Sequence, residues 1–369
     1  MSVPMLDLKA QHQTIKDAVL ARVNGVVERQ QFILGPEVAE LERELATICA
    51  TTHAIGCASG TDAILLPIKA LDLAPGDEVI CPSFTFFATA GAVHNGGGTP
   101  VFVDIDPGTF NMSVAAIEAA ITPRTRAIVV VHLYGQMAPM ESIMALAGRH
   151  GIAVIEDAAQ AIGARRKING EWRMAGELGT AGTISFFPSK NLGGWGDGGM
   201  MVTQDDALAT RLRKLRVHGG AKQYHHEEVG FNSRLDTLQA AILLGKLPYL
   251  AGWSAARRER AARYDAAFAG FAPVRTPFVD PANEPIFHQY TLRVERRDAL
   301  REFLTSREIG SMIYYPVGLH MQPCFAHLPK VNLPETERAM AEVISLPIYP
   351  ELTDAQQDEV ISAVREFYG

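Results

Sequence analysis

The sequence contains few cysteines, and they do not form the patterns that bind metals or build disulfide frameworks. Its 369 residues include only Cys49, Cys57, Cys81 and Cys324, with no CxxC pair and no pair of histidines close to these cysteines at metal-ligand spacing. Neither a zinc site nor a set of disulfides is therefore indicated. This cysteine usage is typical of a protein of the reducing cytoplasm.

The sequence also has no run of Lys and Arg that suggests a nucleic-acid-binding arm. The chain has 34 Lys and Arg against 41 Asp and Glu, which gives a formal net charge of -7. It therefore lacks the positive field with which proteins bind nucleic-acid backbones. With 47 % apolar residues, the composition is that of a globular enzyme, and small molecules are the expected partners.

No segment has the features of a secretion signal or a membrane span. Asp7 and Lys9 lie where a signal peptide would be apolar. The longest stretch without a charged residue, from Val79 to Val103, is interrupted by prolines and glycines. We interpret that stretch as buried sheet and loops, and we expect no membrane association.

Short apolar and β-branched runs alternate with helical segments between about residues 50 and 205. In segments 61–71, 113–121 and 140–150, apolar residues recur three and four positions apart, as in helices that cover a sheet. This alternation predicts an α/β fold with a mostly parallel, doubly covered sheet. The seven predicted strands are Ala54–Cys57, Glu78–Cys81, Pro100–Asp104, Ala127–His132, Ile152–Asp157, Thr183–Phe187 and Gly199–Thr203.

The remainder of the chain predicts a second, smaller domain. A helix over residues 235–247 is interrupted by Pro248, and the charged segment 257–260 is expected to continue as a solvated helix. We therefore predict a large domain over residues 1–248, which includes an N-terminal helical arm. A small α+β domain is predicted over residues 249–369.

Polar turns after the predicted strands are the candidate sites, because ligands collect at the carboxyl ends of parallel strands. The turn Ser59-Gly60-Thr61 leads from a strand into a helix. Free backbone N–H groups at such a helix start suit a phosphate. A simple N-cap by the serine or threonine is the alternative interpretation.

Another turn carries two adjacent acids at the end of an apolar strand. The second of them, Asp157, either caps a helix or stays ionised and pairs with a protonated heterocyclic nitrogen. Gln160 follows about one helical turn later and is within reach of the same ring.

Lys190 follows an aromatic strand and a proline, precedes a glycine run, and has no acid beside it until Asp197. Most lysines are solvated surface charges, but apolar surroundings favour one that loses its proton readily and forms a Schiff base. Nearby glycines also spell GxGxxG. They lead into a strand instead of following one, so they do not indicate a dinucleotide site; they are Gly194, Gly196 and Gly199.

Two further turns complete the candidate set. Phe86 lies in an aromatic turn and either belongs to the core or offers a flat surface to a cofactor ring. Asn232 is suited to cap the helix that follows, whereas Arg234 has no favourable interaction with a helix start.

Together these turns supply the parts that hold pyridoxal 5'-phosphate: a phosphate site, a flat ring surface, an ionised Asp and a Schiff-base lysine. The 33-residue separation of Asp157 and Lys190 allows one strand-loop-strand excursion between them. Both side chains are therefore expected at the same sheet edge.

The chain resembles the DegT/DnrJ/StrS family of sugar aminotransferases, which are fold-type I enzymes that use pyridoxal phosphate. The resemblance covers nearly the whole chain. It rests on motifs in the same order, namely FILGPEVAELE (32–42), GCASGTDAI (56–64), GDEVICPSFTFFAT (76–89), VHLYGQ (131–136), IEDAAQAIGA (155–164), SFFPSKNLGGWGDGG (185–199), GFNSRLDTLQAAIL (230–243) and SLPIYPELT (345–353).

The resemblance implies a role for each matching residue. Lys190 would form the Schiff base, Asp157 would pair with the ring nitrogen, Gln160 would contact the ring hydroxyl, and Phe86 would stack on the ring. Some relatives have histidine in place of the lysine and are dehydratases, so the retained lysine favours transamination. The phosphate would be held by Gly60, Thr61 and Ser185, with Asn232 from the neighbouring subunit of an obligatory homodimer.

The resemblance also implies the reaction, in which L-glutamate donates an amino group to a nucleotide-linked keto-sugar for surface-polysaccharide or glycoconjugate synthesis. Segment 223–236 is most similar to members that act on 3-keto sugars, either UDP-linked uronic acids or dTDP-linked deoxyhexoses. Arg234 is placed to bind a carboxylate or phosphate. Relatives often read IHYP where this chain reads IYYP at 313–316, and sugar contacts are assigned to Tyr315 and His320.

Other functions remain open at this stage. A 4-keto nucleotide sugar or a cyclitol is the alternative acceptor. A regulatory protein that binds pyridoxal phosphate would keep the same site without turnover. A nicotinamide-dependent sugar oxidoreductase would share the α/β pattern, but the missing fingerprint argues against it.

Overall fold

The computed structural model describes residues 2–369. Its helices are α1 (Leu8–Arg29), α2 (Pro36–Ile48), α3 (Gly60–Lys69), α4 (Ala88–Asn95), α5 (Val114–Ala120), α6 (Met140–His150), α7 (Asp206–Leu215), α8 (Thr237–Lys246), α9 (Leu250–Phe268), α10 (Arg297–Ser306), α11 (Pro334–Glu342) and α12 (Asp354–Tyr368). Its strands are β1 (His53–Cys57), β2 (Glu78–Pro82), β3 (Thr99–Val103), β4 (Thr125–Val131), β5 (Ala153–Asp157), β6 (Arg165–Ile168), β7 (Glu171–Met174), β8 (Ala181–Ser185), β9 (Gly199–Thr203), β10 (Val274–Arg275), β11 (Asn283–Glu284), β12 (Tyr290–Val294) and β13 (Val343–Leu346).

The central sheet has seven strands in the order β1-β9-β8-β5-β4-β2-β3, of which only β9 runs against the others. This confirms the predicted α/β fold with a mostly parallel sheet. Each predicted strand is present, with ends that differ by at most two residues from the prediction. The carboxyl ends of β5 and β8 lie side by side, because these strands are parallel neighbours.

The central sheet is buried on both faces, because successive side chains of a strand point to opposite sides. In β4, Ile128 and Val130 pack on one side in a cluster with Ile143 of α6. Ala127 and Val129 pack in another cluster, with residues of α3 and α4. Double burial explains why these strands are continuous apolar runs in the sequence.

Two elements near the site differ from the prediction. Helix α4 lies in the stretch interpreted as sheet and loops, where its small, uncharged residues gave no amphipathic signal. The excursion between β5 and β8 contains the hairpin of β6 and β7. Its turn residues, Asn169 and Gly170, have φ angles of 51° and 89°, as an Asn-Gly type I′ turn requires, so the sequence did contain a hairpin signal.

The C-terminal part of the chain forms a smaller antiparallel sheet in the order β10-β12-β13. Its core includes Tyr264 of α9, Tyr290 of β12 and Val360 of α12. The division into domains at 248/249 stays a prediction, and residue 1 of the first domain lies outside the described residues. None of the helices in residues 2–369 combines the length and the apolar character that a bilayer crossing requires.

Within residues 257–260 of α9, which were predicted to be solvated, one side chain is buried. Arg257 is only 4 % exposed. Its Nη1 atom donates hydrogen bonds to the carbonyl oxygens of Phe287, His288 and Ile348, at 3.2, 3.4 and 2.8 Å. These acceptors are distant in the chain, so local charge patterning did not reveal the burial.

A buried histidine and glutamate join the ends of β4 and β5. His132 donates from Nε2 to Glu156 at 2.8 Å, since its Nδ1 atom accepts the backbone N–H of Ala138. Both side chains are fully buried. Glu156 also accepts the backbone N–H groups of Gly176, Leu178 and Gly179. This network fixes the loop before β8 to the strand that ends at Asp157.

The substitution Glu156→Ala is expected to lower the free energy of unfolding by at least about 3 kcal/mol, because several buried donors lose their acceptor. Urea unfolding of the cofactor-free protein, followed by circular dichroism, measures this change. The matched control is Glu118→Ala, which removes an exposed ion pair with Arg149 and should cost less than about 1 kcal/mol. Equal losses for the two variants would refute the structural role of Glu156.

Candidate active site

Two neighbouring parallel strands bring Asp157 and the segment of Lys190 to one edge of the sheet. Asp157 is the last residue of β5 and pairs in register with Thr183 of β8. Strand β8 ends at Ser185, and Lys190 follows in the loop beyond it. The Asp157 carboxylate and the Lys190 ammonium are close enough to interact electrostatically.

The Asp157 carboxylate is buried and accepts two hydrogen bonds. Thr89 donates to Oδ2 from its hydroxyl at 2.9 Å, and the backbone N–H of Ala159 donates to Oδ1 at 3.2 Å. Burial raises the pKa of Asp157, whereas these donors and Lys190 act in the opposite direction. A further cation beside this carboxylate would favour its ionised form. The site is therefore suited to a protonated ring nitrogen.

The Lys190 amine has lost much of its ordinary affinity for a proton. Burial lowers the pKa of Lys190 to about 8, and the Asp157 carboxylate partly opposes this shift. The backbone N–H of Lys190 donates to the carbonyl oxygen of Phe187 at 2.8 Å. A sizeable fraction of the amine is therefore neutral and nucleophilic near physiological pH. This environment agrees with the apolar, glycine-rich surroundings seen in the sequence.

The start of α3 packs against the end of β8. Gly60 is the first residue of α3, and a side chain there would put its Cβ atom 2.6 Å from Cβ of Ser185. Ser59 caps the helix by accepting the backbone N–H of Asp62 at 3.1 Å. The N–H groups of Gly60 and Thr61 lie in the first turn and have no intrahelical acceptor. Capping by Ser59 therefore leaves these two N–H groups available to an anion.

An amide and two aromatic rings lie beside the carboxylate. Gln160 accepts the backbone N–H of Tyr134 at 2.7 Å and donates to the hydroxyl of Tyr315 at 3.0 Å. The ring of Phe86 is 58 % exposed, and its centroid is 6.4 Å from that of Tyr315. Phe86 therefore offers a free ring surface at the site and is not part of the core.

The structure does not bring His320 to these residues. Its Nδ1 atom is 2.6 Å from the hydroxyl oxygen of Ser83, and its backbone N–H donates to the same oxygen at 3.1 Å. The ring therefore joins the segment after β2 to the C-terminal part of the chain. Its predicted contact with a sugar stays a prediction.

Asn232 and Arg234 lie together on one cleft of the chain. They line a cleft of about 430 Å³ whose walls also include Ile33 and Ala58. Between them, Ser233 donates to Asp62 at 2.7 Å, which anchors the segment near the start of α3. Neither Asn232 nor Ser233 caps the helix that follows, because the N-cap of α8 is Asp236.

Three groups that the sequence did not single out also build the site. Thr89 positions Asp157, and the backbone N–H of Tyr134 orients Gln160. His288 lies 3.0 Å from the side-chain oxygen of Asn191, the residue after Lys190. Thr89 follows Phe86 closely in the aromatic turn described above. His288 lies 97 positions after Asn191, and nothing in the local sequence identifies it.

The residues present fit pyridoxal 5'-phosphate on structural grounds. The site has a buried carboxylate with capacity for one more partner, an amine with a lowered pKa, and an exposed ring. The close approach of Gly60 to Ser185 leaves the helix start free of side chains where a phosphate would bind.

Comparison with known proteins gives the same family. The model of the DegT/DnrJ/EryC1/StrS aminotransferase family matches residues 13–365. The chain is 50 % identical to a protein named pleiotropic regulatory protein from Geobacillus stearothermophilus, covering 100 % of this chain and 99 % of the relative. It is 46 % identical to a UDP-N-acetyl-3-dehydro-alpha-D-glucosamine 3-aminotransferase from Acidithiobacillus ferrooxidans, with 99 % and 97 % covered.

Two further similarities support this result. The chain is 44 % identical to a UDP-2-acetamido-2-deoxy-3-oxo-D-glucuronate aminotransferase from Pseudomonas aeruginosa, over 98 % of this chain and 99 % of the relative. The crystal structure of DesV from S. venezuelae in complex with a ketimine intermediate has a TM-score of 0.95 and 44 % identity, with 99 % of this chain and 98 % of that chain covered.

These similarities extend over essentially the full length of both partners, so they confirm the resemblance seen in the motifs. The fold, the site and the family agree on an enzyme that uses pyridoxal 5'-phosphate. The chain belongs to the DegT/DnrJ/EryC1/StrS aminotransferase family.

Proposed function

We propose that this aminotransferase transfers the amino group of L-glutamate to the C3 keto group of a nucleotide-linked sugar. The observation that carries the proposal is the pairing of a readily deprotonated Lys190 with the buried Asp157. The choice of C3 is supported by the names of two relatives, at 46 % and 44 % identity, which both specify amination at that carbon.

Each predicted cofactor-binding residue would hold one part of the cofactor. When bound, pyridoxal 5'-phosphate supplies an aldehyde carbon and an electron-withdrawing ring through which an amino group is taken up and released. Asp157 would face the ring nitrogen, and Gln160 the ring hydroxyl. Phe86 would cover one face of the ring. The phosphate would be bound by Gly60, Thr61 and Ser185.

Lys190 is proposed to bind the cofactor covalently and to move a proton during catalysis. Its pKa of about 8 lets the amine exist in both protonation states at neutral pH, as a residue that takes up and releases protons requires. The loop position gives this amine access to Asp157 without a helix or strand in between.

Asp157 is proposed to act through its charge. Burial works against ionisation, while Thr89 and the backbone N–H of Ala159 hold the carboxylate in place. A positively charged ring nitrogen would reverse the effect of burial, since an opposite charge favours the ionised carboxylate. The same interaction would keep that nitrogen protonated.

We further propose a homodimer in which the neighbouring subunit contributes Asn232 to the phosphate site. Phe32, Ile33 and Leu34 are 37 %, 51 % and 41 % exposed and form an apolar run. Ile33 lines the cleft of Asn232, and such exposed apolar surfaces at a functional cleft are typical of protein interfaces. A second copy of the chain would cover this run.

Two classes of nucleotide-linked sugar are candidates for the acceptor. A UDP-linked uronic acid is favoured by Arg234, whose planar guanidinium suits a carboxylate, and by the name of the Pseudomonas relative. A dTDP-linked deoxyhexose is the alternative.

Tyr315 is proposed to contact the sugar, since its hydroxyl is linked to Gln160. His320 is bonded to Ser83 and is proposed to hold the C-terminal part of the chain against the segment that follows β2.

We also propose that the enzyme acts in the cytoplasm. The four cysteines are free thiols, as in proteins of a reducing compartment, which supports a cytoplasmic enzyme. Its amino-sugar product would serve the synthesis of a surface polysaccharide or another glycoconjugate.

The name of the Geobacillus relative, at 50 % identity, supports a second candidate function. In this alternative the chain is a regulatory protein that binds the same cofactor.

A half-reaction screen tests the proposed function. The enzyme is first converted to its amino form with L-glutamate and then mixed with UDP- and dTDP-linked sugars that carry a keto group at C3 or C4. Return of the visible absorbance is expected with 3-keto sugars. Lys190→Ala, supplied with pyridoxamine 5'-phosphate, should form the amino-sugar product at least about 100-fold more slowly than the unchanged enzyme. Return only with 4-keto sugars would refute the choice of carbon, and no return with any acceptor would favour the regulatory candidate.

The lowered pKa of Lys190 predicts a pH dependence in the cofactor-free protein. Labelling of its amine by acetic anhydride, followed by peptide mass spectrometry, should rise with a midpoint near pH 8, because the neutral amine reacts. The same peptide in the urea-unfolded protein is the control and should give a midpoint of about 10.4, the value of an unperturbed lysine. In Asp157→Asn the midpoint of Lys190 should fall further, because the carboxylate favours the ammonium form. Equal midpoints in the folded and the unfolded protein would contradict the burial argument.

A further inference from the structure

The glycine run that follows Lys190 has no role in holding the cofactor, yet the structure requires it. A Cβ atom added at Gly194 or Gly196 would lie 2.7 or 2.8 Å from the side-chain amide of Gln239 on α8. At Gly193 it would collide with the backbone of Pro188. The glycines therefore let this segment fold back on itself and lie directly against α8.

Two side chains of α8 hold the segment at this short distance. Gln239 accepts the backbone N–H of Trp195 at 2.9 Å, and Lys246 donates to the carbonyl oxygen of Gly193 at 2.7 Å. The two residues are seven positions apart, which is about two helical turns, so they lie on the same face of α8. We call this pair the α8 clamp.

A lysine at position 246 lowers the stability of the fold unless its ammonium group has a favourable partner. It is only 4 % exposed, and burial lowers its pKa to about 8, while Glu351 partly opposes the shift. A buried ammonium group costs free energy, which a neutral side chain of similar length would avoid. A donor that carries a charge, however, forms a stronger hydrogen bond than a neutral one. The charge is therefore best explained by its bond to the segment of Lys190.

One further side chain, Leu192, anchors the segment between β8 and β9, because it is fully buried in a core cluster with residues of α2 and α8. The segment contains no helix or strand, and the backbone N–H groups of Lys190 and Gly194 donate to the carbonyl oxygens of Phe187 and Phe186. Directly after Lys190, the side chain of Asn191 is held by His288. His288 and the α8 clamp thus hold consecutive parts of the chain that follows the amine.

We propose that Gln239 and Lys246 are positioning residues that keep the amine of Lys190 directed at the site of Asp157. The inference rests on the proposed role of Lys190. Neither clamp residue touches the reacting groups, and both act through the backbone of residues 193–195.

Amide hydrogen exchange in the cofactor-free protein tests the clamp without reference to activity. In Lys246→Met, the peptide that covers residues 186–198 should exchange at least about fivefold faster than in the unchanged protein. Gln239→Leu should act in the same direction. The control Lys16→Met removes an exposed lysine from α1 and should leave this peptide unchanged. An unchanged peptide in Lys246→Met, or faster exchange over the whole chain, would overturn the proposal.

Kinetics of the loaded enzyme provide the second measurement. Misplacement of the amine should lower kcat of Lys246→Met by about 10- to 100-fold, with KM for the sugar within about twofold. Lys246→Arg should recover part of the loss, because it keeps a charged donor and adjoins a cavity of about 270 Å³. An unchanged kcat, or equal losses in the Met and Arg variants, would overturn the proposal. Failure of the unchanged enzyme in the sugar screen would instead refute the proposed function, and the exchange result would still test the clamp.

Discussion

An amine and a carboxylate that are both removed from water, at the ends of adjacent parallel strands, are the central constraint of this molecule. Burial alone would make Lys190 a poor cation and Asp157 a poor anion, and each group partly restores the charge of the other. A ligand that adds one positive charge beside Asp157 would therefore favour the ionised form of this carboxylate. The remaining structure serves to keep these two groups at one sheet edge.

Most of that structure acts at the backbone level. Glu156 collects three backbone N–H groups and a histidine next to Asp157, and two side chains of α8 hold the glycine segment after Lys190. Two lysines, Lys190 and Lys246, have pKa values lowered to about 8 by burial. Their surroundings separate their roles, since Lys246 is bonded to a carbonyl oxygen and Lys190 faces a carboxylate. A perturbed pKa thus identifies a buried lysine, and geometry identifies the reactive one.

The sequence predicted the central sheet well, because strands buried on both faces leave unbroken apolar runs with polar turns at their ends. It also placed Asp157 at the end of a strand, where the structure has it. It failed for Arg257, His288 and Lys246, whose partners lie far away in the chain. Such residues look like ordinary surface charges or loop residues until the fold supplies their neighbours. The glycine run was noticed, but its reason, close contact with α8, required the tertiary structure.

The central claim is that one lysine among all those in the chain binds the cofactor, and reduction with borohydride tests it most directly. The protein is incubated with pyridoxal 5'-phosphate, reduced, digested and analysed by peptide mass spectrometry. Our account predicts a single pyridoxyl group per chain, on Lys190. The same modification on Lys246, or a distribution over exposed lysines such as Lys16, would contradict it.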